Sequence, residues 1–390
     1  MRRFFSPSYI SAGFVAVLVG YAGAGAIIFQ AANAAGASPA EISSWLWALG
    51  LGMGVSSFLL TLRYKQPILI AWSTPGAALL VTSLPGVPMG EAIGAFLFCS
   101  ALLTLAGVTG LFQKIMDFVP QSLAAALLAA VLLRFGLDAF AAMEDNVLLV
   151  GVMVAVYLAA KLYSPRYVIP LTFLAGIVVA FLMGEMGSIP ADFALTMPVF
   201  TMPSFSLPTL IGVGIPLFIV TMASQNVPGI AALRTHGYDV PASPLIGWSG
   251  VTGLILAPFG GFAFNLAAIT AALCMSPEVH PDPKKRHFAV YWAALFYGLA
   301  GLFGATLTAL FIAFPTSLIL AIAGLALLST IANSLETALR SEAERDAAIF
   351  TFIVTASGVT LLSIGAPFWG LVIGMIVYLL RRRPAPALAE

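Results

Sequence analysis

Charge is what this chain has least of. Of 390 residues, 8% are Asp, Glu, Lys or Arg, whereas soluble domains carry about 25%, which excludes an ordinary soluble globular fold. Cysteine is nearly absent too: Cys99 and Cys274 both lie in apolar segments, so a disulfide framework is excluded and both read as small core-filling residues. The three histidines, His236, His280 and His287, fall in predicted loops without metal-ligand spacing; no metal and no cofactor is expected. None of the 16 acidic residues sits mid-segment, and no intramembrane nucleophile has a base beside it, which speaks against an intramembrane enzyme. The charged stretches 281–287 (PDPKKRH) and 344–346 (ERD) read as loops meeting membrane lipid head groups, not nucleic acid.

What the chain has is apolar length. It is 61% hydrophobic, with a mean hydropathy of +1.03, the composition of an all-α integral membrane protein. Met1-Arg2-Arg3 leads straight into an apolar run, which reads as a first span and not a cleavable signal. Hydropathy predicts about fourteen crossing or half-crossing segments, near 10–31, 43–62, 68–83, 91–112, 120–138, 146–162, 167–184, 208–232, 243–257, 263–276, 287–312, 315–336, 346–365 and 366–381. With both termini on the cytoplasmic side, 16 of the 17 Lys and Arg fall inside, and Arg134 alone lies near an outer end. Arg134 and Asp138, four residues apart, read as an ion pair there, with attraction of anions as the alternative.

Two segments nearly repeat. Leu105 to Leu133 and Leu299 to Leu328 both carry LAGxxG, then Pro-x-Ser-Leu at Pro120 and Pro315, then an apolar run ending Leu-Leu. They are spans 4–5 and 11–12, seven crossings apart, so the copies point in opposite directions. That is the mark of an inverted-repeat, alternating-access transporter. The first repeat is expected over 1–184 and the second over 208–383, with an external, Pro-rich linker at 185–207 containing no basic residue.

In such a fold the site lies at broken helices near the midplane. Spans 3 and 10 are short and interrupted at matching places. Span 3 reads Trp72-Ser73-Thr74-Pro75-Gly76, with Ser73 or Thr74 as N-cap and Pro75 opening a half-helix. Span 10 reads Pro258-Phe259-Gly260-Gly261 and is expected to start a second half-helix at about Ala263. Two facing helix N-termini would suit an anion. Candidate substrate contacts are therefore Ser73, Thr74 and Gly76 on one end and Phe262, Ala263, Phe264 and Asn265 on the other. Gln225 and Asn226, from the most polar stretch of span 8, flank them, and Tyr21 and Trp72 are further lining candidates. Aromatic walls beside these donors suit a flat ring bearing a carboxylate.

At WSTPGAALLVT (72–82), PQSLAAALLAAVLLRFGL (120–137), PLFIVTMASQNVPGIAAL (216–233), AGLALLSTIANSL (323–335) and RDAAIFTFIVTASGVTLLSIGAPFWGL (345–371) the chain resembles the BenE-type benzoate–proton symporters of the bacterial inner membrane. The resemblance implies import of benzoate, or a similar aromatic acid, with a proton. More distantly the layout resembles nucleobase–cation symporters and sulfate-type anion exchangers. This implies a core domain of spans 1–4 and 8–11, a gate domain of spans 5–7 and 12–14, and a possible homodimer. Nucleobase symporters carry glutamates on spans 8 and 10, where this chain has Gln225, Asn226 and Asn265. Amides suit a carboxylate ligand but cannot titrate, which leaves Glu91, Asp138, Glu336 or the substrate itself to carry a proton. The alternatives are a uniporter or exchanger of another small anion or a nucleobase, and a channel.

Overall fold

The computed structural model describes residues 5–110, 120–188, 194–362 and 364–381. Part of the first repeat copy (111–119, with Lys114), Arg2, Arg3, Arg382 and Arg383 lie outside the described residues. The chain runs α1 (Pro7–Ala34), α2 (Pro39–Tyr64), β1 (Ile70–Trp72), α3 (Thr74–Ser83), α4 (Met89–Thr109), α5 (Gln121–Ala141), α6 (Val147–Tyr163) and α7 (Val168–Leu182). It continues through α8 (Leu207–Thr235), α9 (Ala242–Leu256), β2 (Phe264–Leu266), α10 (Ile269–Met275), α11 (His287–Leu302), α12 (Gly304–Ala313), α13 (Thr316–Leu339), α14 (Arg345–Ala356) and α15 (Ala366–Arg381).

Among the described residues, seven helices are long and apolar enough to cross a membrane, and α11 with α12 makes an eighth span bent by 67°. The other predicted segments appear as shorter pieces. Spans 3 and 10 are each a three-residue strand followed by a short helix. The predicted segment 346–365 is helical only to Ala356, because Gly358, at φ 68°, turns the chain. Local sequence explains most boundaries. Ser38 and Glu41 form a reciprocal capping box at the start of α2, and Pro120 and Pro315 stand as N-caps of α5 and α13.

The helices fall into two packed sets. One set, here termed the core, joins α4 to α9, α2 to α11, and α1 to α3, α10 and α11; the other, here termed the gate, joins α5 to α13 and α14, α14 to α15, and α6 to α7. Hydrocarbon gives no hydrophobic drive between helices, so close backbone approach through small residues does the work. Gly107 of α4 lies against Gly247 of α9, Gly50 of α2 against Gly301 of α11, and Gly324 of α13 against the Phe135 backbone of α5. A methyl group at any of these positions meets backbone. Beyond 193 the linker runs extended across the helix ends, its amides reaching Leu302 (from Thr196), Pro258 (from Thr201) and Gly90 (from Ser204).

Candidate functional site

The two breaks meet. β1 pairs antiparallel with β2, Ile70 opposite Leu266, Ala71 opposite Asn265 and Trp72 opposite Phe264. Unwound backbone inside a membrane must find partners within the protein, and these strands supply them to each other. Alternate amides of an antiparallel pair point away from the partner strand, and side chains take those. The Ile70 N–H donates to Ser57 Oγ of α2 at 2.8 Å, and the Leu266 N–H donates to Asn226 Oδ1 of α8 at 3.1 Å.

This pairing corrects the expected helix start in span 10. Phe262, Ala263, Phe264 and Asn265 are fully buried and do not open a helix; α10 begins at Ile269. Gly260 (φ 92°) and Ala263 (φ 44°) put two left-handed residues into the break. No side chain fits at Gly260, where a Cβ would collide with the Trp45 indole. Asn265 Nδ2 donates to the Ala263 carbonyl at 3.0 Å, bracing the second left-handed residue. None of these four residues borders the cavity described next.

That cavity, of about 480 Å³, lies between core and gate. Core residues bordering it are Gly20 and Gly23 of α1, Trp72, Thr74 and Pro75 at the β1–α3 junction, Ser224, Gln225 and Pro228 of α8, Ala267–Thr270 after β2, and Tyr297 of α11. From the gate come Gln121 and Leu128 of α5 and a polar stripe on α13, Thr330, Asn333, Ser334 and Thr337. No Asp, Glu, His, Lys or Arg is among the described residues that line it. Its walls are aromatic at one side: Tyr21 meets Trp72 edge-on at 4.7 Å between ring centroids and Tyr297 at 6.2 Å. The Tyr21 hydroxyl is buried without a partner.

The predicted contacts therefore divide. Trp72, Thr74 and Gln225 border the cavity; Ser73, Gly76, Asn226 and Tyr21 stand behind its wall. Ser73 Oγ accepts the Gly76 N–H at 3.0 Å and the Thr221 hydroxyl at 3.1 Å, and the Ser73 carbonyl accepts the Ala77 N–H at 2.7 Å. Pro75 has no N–H, so although it borders the cavity with Thr74, Thr74 alone in the first turn of α3 offers a donor there. The cap joins α3 to α8, and Ser73→Ala is expected to lower stability by about 1–2 kcal/mol, read as a lower melting temperature of the purified protein.

The separation of Gln225 from Asn226 follows from the backbone. Met222–Asn226 is a π-helical turn, with Ser224 Oγ bonded back to the Val220 carbonyl. Successive positions of any helical turn point to different faces, roughly 100° apart, so Gln225 borders the cavity while Asn226 turns to the Leu266 N–H of β2. Tyr297, Thr270 and the α13 stripe were not anticipated. The stripe was readable, since Thr330, Asn333, Ser334 and Thr337 recur at helical spacing in an apolar run.

A second cavity, of about 390 Å³, continues the seam. It is lined by Gln30 of α1, Val81, Thr82 and Pro85 at the end of α3, and Val131, Arg134, Phe135 and Asp138 of α5, with Thr355 and Pro367 from α14 and α15. Both cavities thus use α1, α3 and α5, one after the other. On α1 they are separated by the stretch from Ala24 to Gln30, roughly 9 Å of helix. Ile27, Ala77 and Ala78, between them in sequence, are fully buried.

A family model described as benzoate membrane transport protein, BenE, matches residues 3–380. The chain is 52% identical over 378 residues to inner membrane protein YdcO of Escherichia coli (strain K12), covering 96% of this chain and 97% of that protein. It is 38% identical over 384 residues to the benzoate membrane transport protein of Acinetobacter baylyi, covering 98% of each. Among solved structures, the transmembrane domain of the cyanobacterial bicarbonate transporter BicA superposes with a TM-score of 0.60 at 12% identity, covering 96% of both chains. The inward-facing murine anion transporter Slc26a9 gives 0.62 at 13% identity, covering 96% of this chain and 68% of that one. Those two likenesses concern the fold.

Proposed function

Because the chain belongs to the BenE family of benzoate membrane transport proteins, we propose that it imports benzoate or a similar aromatic carboxylate together with a proton, by alternating access. The observation that carries this reading is the uncharged, donor-bearing cavity in the core–gate seam. A carboxylate there meets no fixed negative charge. Gln225 and Thr74 offer donors, while Trp72 and Tyr297 offer ring faces. The volume lies within the range of small-molecule sites.

Alternating access is supported by the two cavities, which lie in line along α1, α3 and α5 with buried residues between them. The larger one borders the start of α5 and the end of α13, where Arg340 follows. In the positive-inside orientation that end is cytoplasmic, so the larger cavity lies toward the cytoplasmic side. The core carrying Thr74 and Gln225 would move past α5 and α13 to reach the other side, in a bacterial inner membrane with both termini cytoplasmic. Glu91 accepts the Thr209 hydroxyl at 2.6 Å and Glu336 pairs with Arg340 at 2.7 Å. Neither borders the larger cavity; Asp138 borders the smaller.

The test is uptake of labelled benzoate by the purified protein in liposomes. Accumulation above equilibrium only under an inward proton gradient is the expected result. Equilibration alone, with or without the gradient, would leave a uniporter and remove the proton from the mechanism.

A further inference from the structure

The smaller cavity contains more polar machinery than a mere gap between helices needs. Arg134 borders it and pairs with Asp138 at 3.9 Å, a long contact between two exposed side chains that does little to hold the guanidinium in place. Two residues on its border hold a polar atom that is buried without a partner: Gln30 at Nε2, and Thr355, only 6% exposed, at Oγ1, which lies over Gly370 of α15. Buried donors left unmade are costly, and both belong to residues that face this one space. Val131, Phe135 and Pro367 supply the apolar remainder. The volume exceeds the roughly 150 Å³ that accepts a benzene ring.

We propose that this cavity is a second carboxylate station, at which an aromatic or otherwise apolar monocarboxylate is captured before it reaches the central cavity. The inference rests on the reading of the chain as a carrier of such acids. The Arg134 guanidinium takes the carboxylate, exchanging its weak contact with Asp138 for a charge-assisted one. The Gln30 amide, unpartnered where it stands, turns into the cavity to donate the second hydrogen bond, and the ring lies against Phe135 and Val131. Its position in line with the central cavity, on the same three elements, places it on the substrate's path. Asp138 prevents the station from being a strong anion trap, which suits a site that must release its ligand onward.

The experiment is a comparison of benzoate KM measured from each face, in right-side-out and inside-out membrane vesicles. Arg134→Gln is expected to raise KM about tenfold from the face that carries Arg134 and to leave KM from the opposite face within about twofold. Arg134→Lys restores most of the loss, and Gln30→Leu gives a smaller rise on the same face. Equal shifts from both faces, or none, overturn the station; an arginine that only reaches lipid head groups gives the latter. Wild-type vesicles that move no benzoate in either orientation would remove the carrier reading, and the station with it.

Discussion

Gln225→Leu is expected to raise the KM for benzoate by about ten- to a hundredfold, the usual worth of one hydrogen bond to a charged group. The amide borders the larger cavity from the π-helical turn of α8, opposite the α13 stripe. Leucine keeps the volume and removes the donor. Expression and melting temperature should hold, because Gln225 is only half-buried and no hydrogen bond from its side chain supports another element. Gln225→Glu is the sharper variant. It keeps the shape and puts a negative charge where the substrate carboxylate would lie, a repulsion on the order of a few kcal/mol at about 4 Å and intermediate dielectric. Binding of labelled benzoate to the purified variant should disappear near neutral pH and return in part on acidification, as the new carboxyl is protonated. Wild-type affinity in both variants would remove Gln225 from the site.

That prediction separates two residues that sequence alone treats as one. An amide in an apolar segment must meet protein, water or ligand, and this argument applies equally to Gln225 and Asn226. Which face of the α8 turn meets protein and which meets the cavity is decided by where β2 lies, and three-residue strands leave almost no local signature. The breaks themselves were legible. Pro75 and Gly260-Gly261 cannot continue a helix, and both stand where the backbone unwinds. The partners of the unwound backbone were not, because Ile70 and Leu266 lie far apart in sequence, and the register that joins them is set by Ser57 and Asn226 on two other helices.

The helix N-termini illustrate the same limit. Ser-Thr-Pro-Gly correctly marks a capped helix start, yet the cap itself uses up the donors that a ligand would need. The cavity's remaining polar lining is Thr74, Thr270, Gln121 and side chains from α8, α11 and α13. Tyr297 stayed invisible for a different reason: an aromatic in a 16-residue apolar helix looks like any other packed ring until its neighbours are known. Gly20 leaves room beside its hydroxyl, a Cβ there lying 3.2 Å from the phenol oxygen.

Asn226→Leu is the complement of the Gln225 experiment, and its effect should be on folding. Asn226 is fully buried; its Oδ1 is the partner of the outward-pointing Leu266 N–H, and its Nδ2 lies 3.5 Å from Met222 Sδ. Leucine leaves a backbone donor unmade in the middle of the protein, where no water replaces it, for a loss of about 2–3 kcal/mol. The space is also tight, since β2 runs so close to α8 that a Cβ at Gly229 would meet Leu266 at 2.6 Å. The break can then slip, and with it Ala267–Thr270, the part of span 10 that reaches the cavity. The expected result is a lower melting temperature and reduced yield, with benzoate affinity falling only as far as the folded fraction falls. A stable Asn226→Leu protein that has lost benzoate binding outright would instead mean that Asn226 touches the substrate in a conformation where the β1–β2 pair has opened.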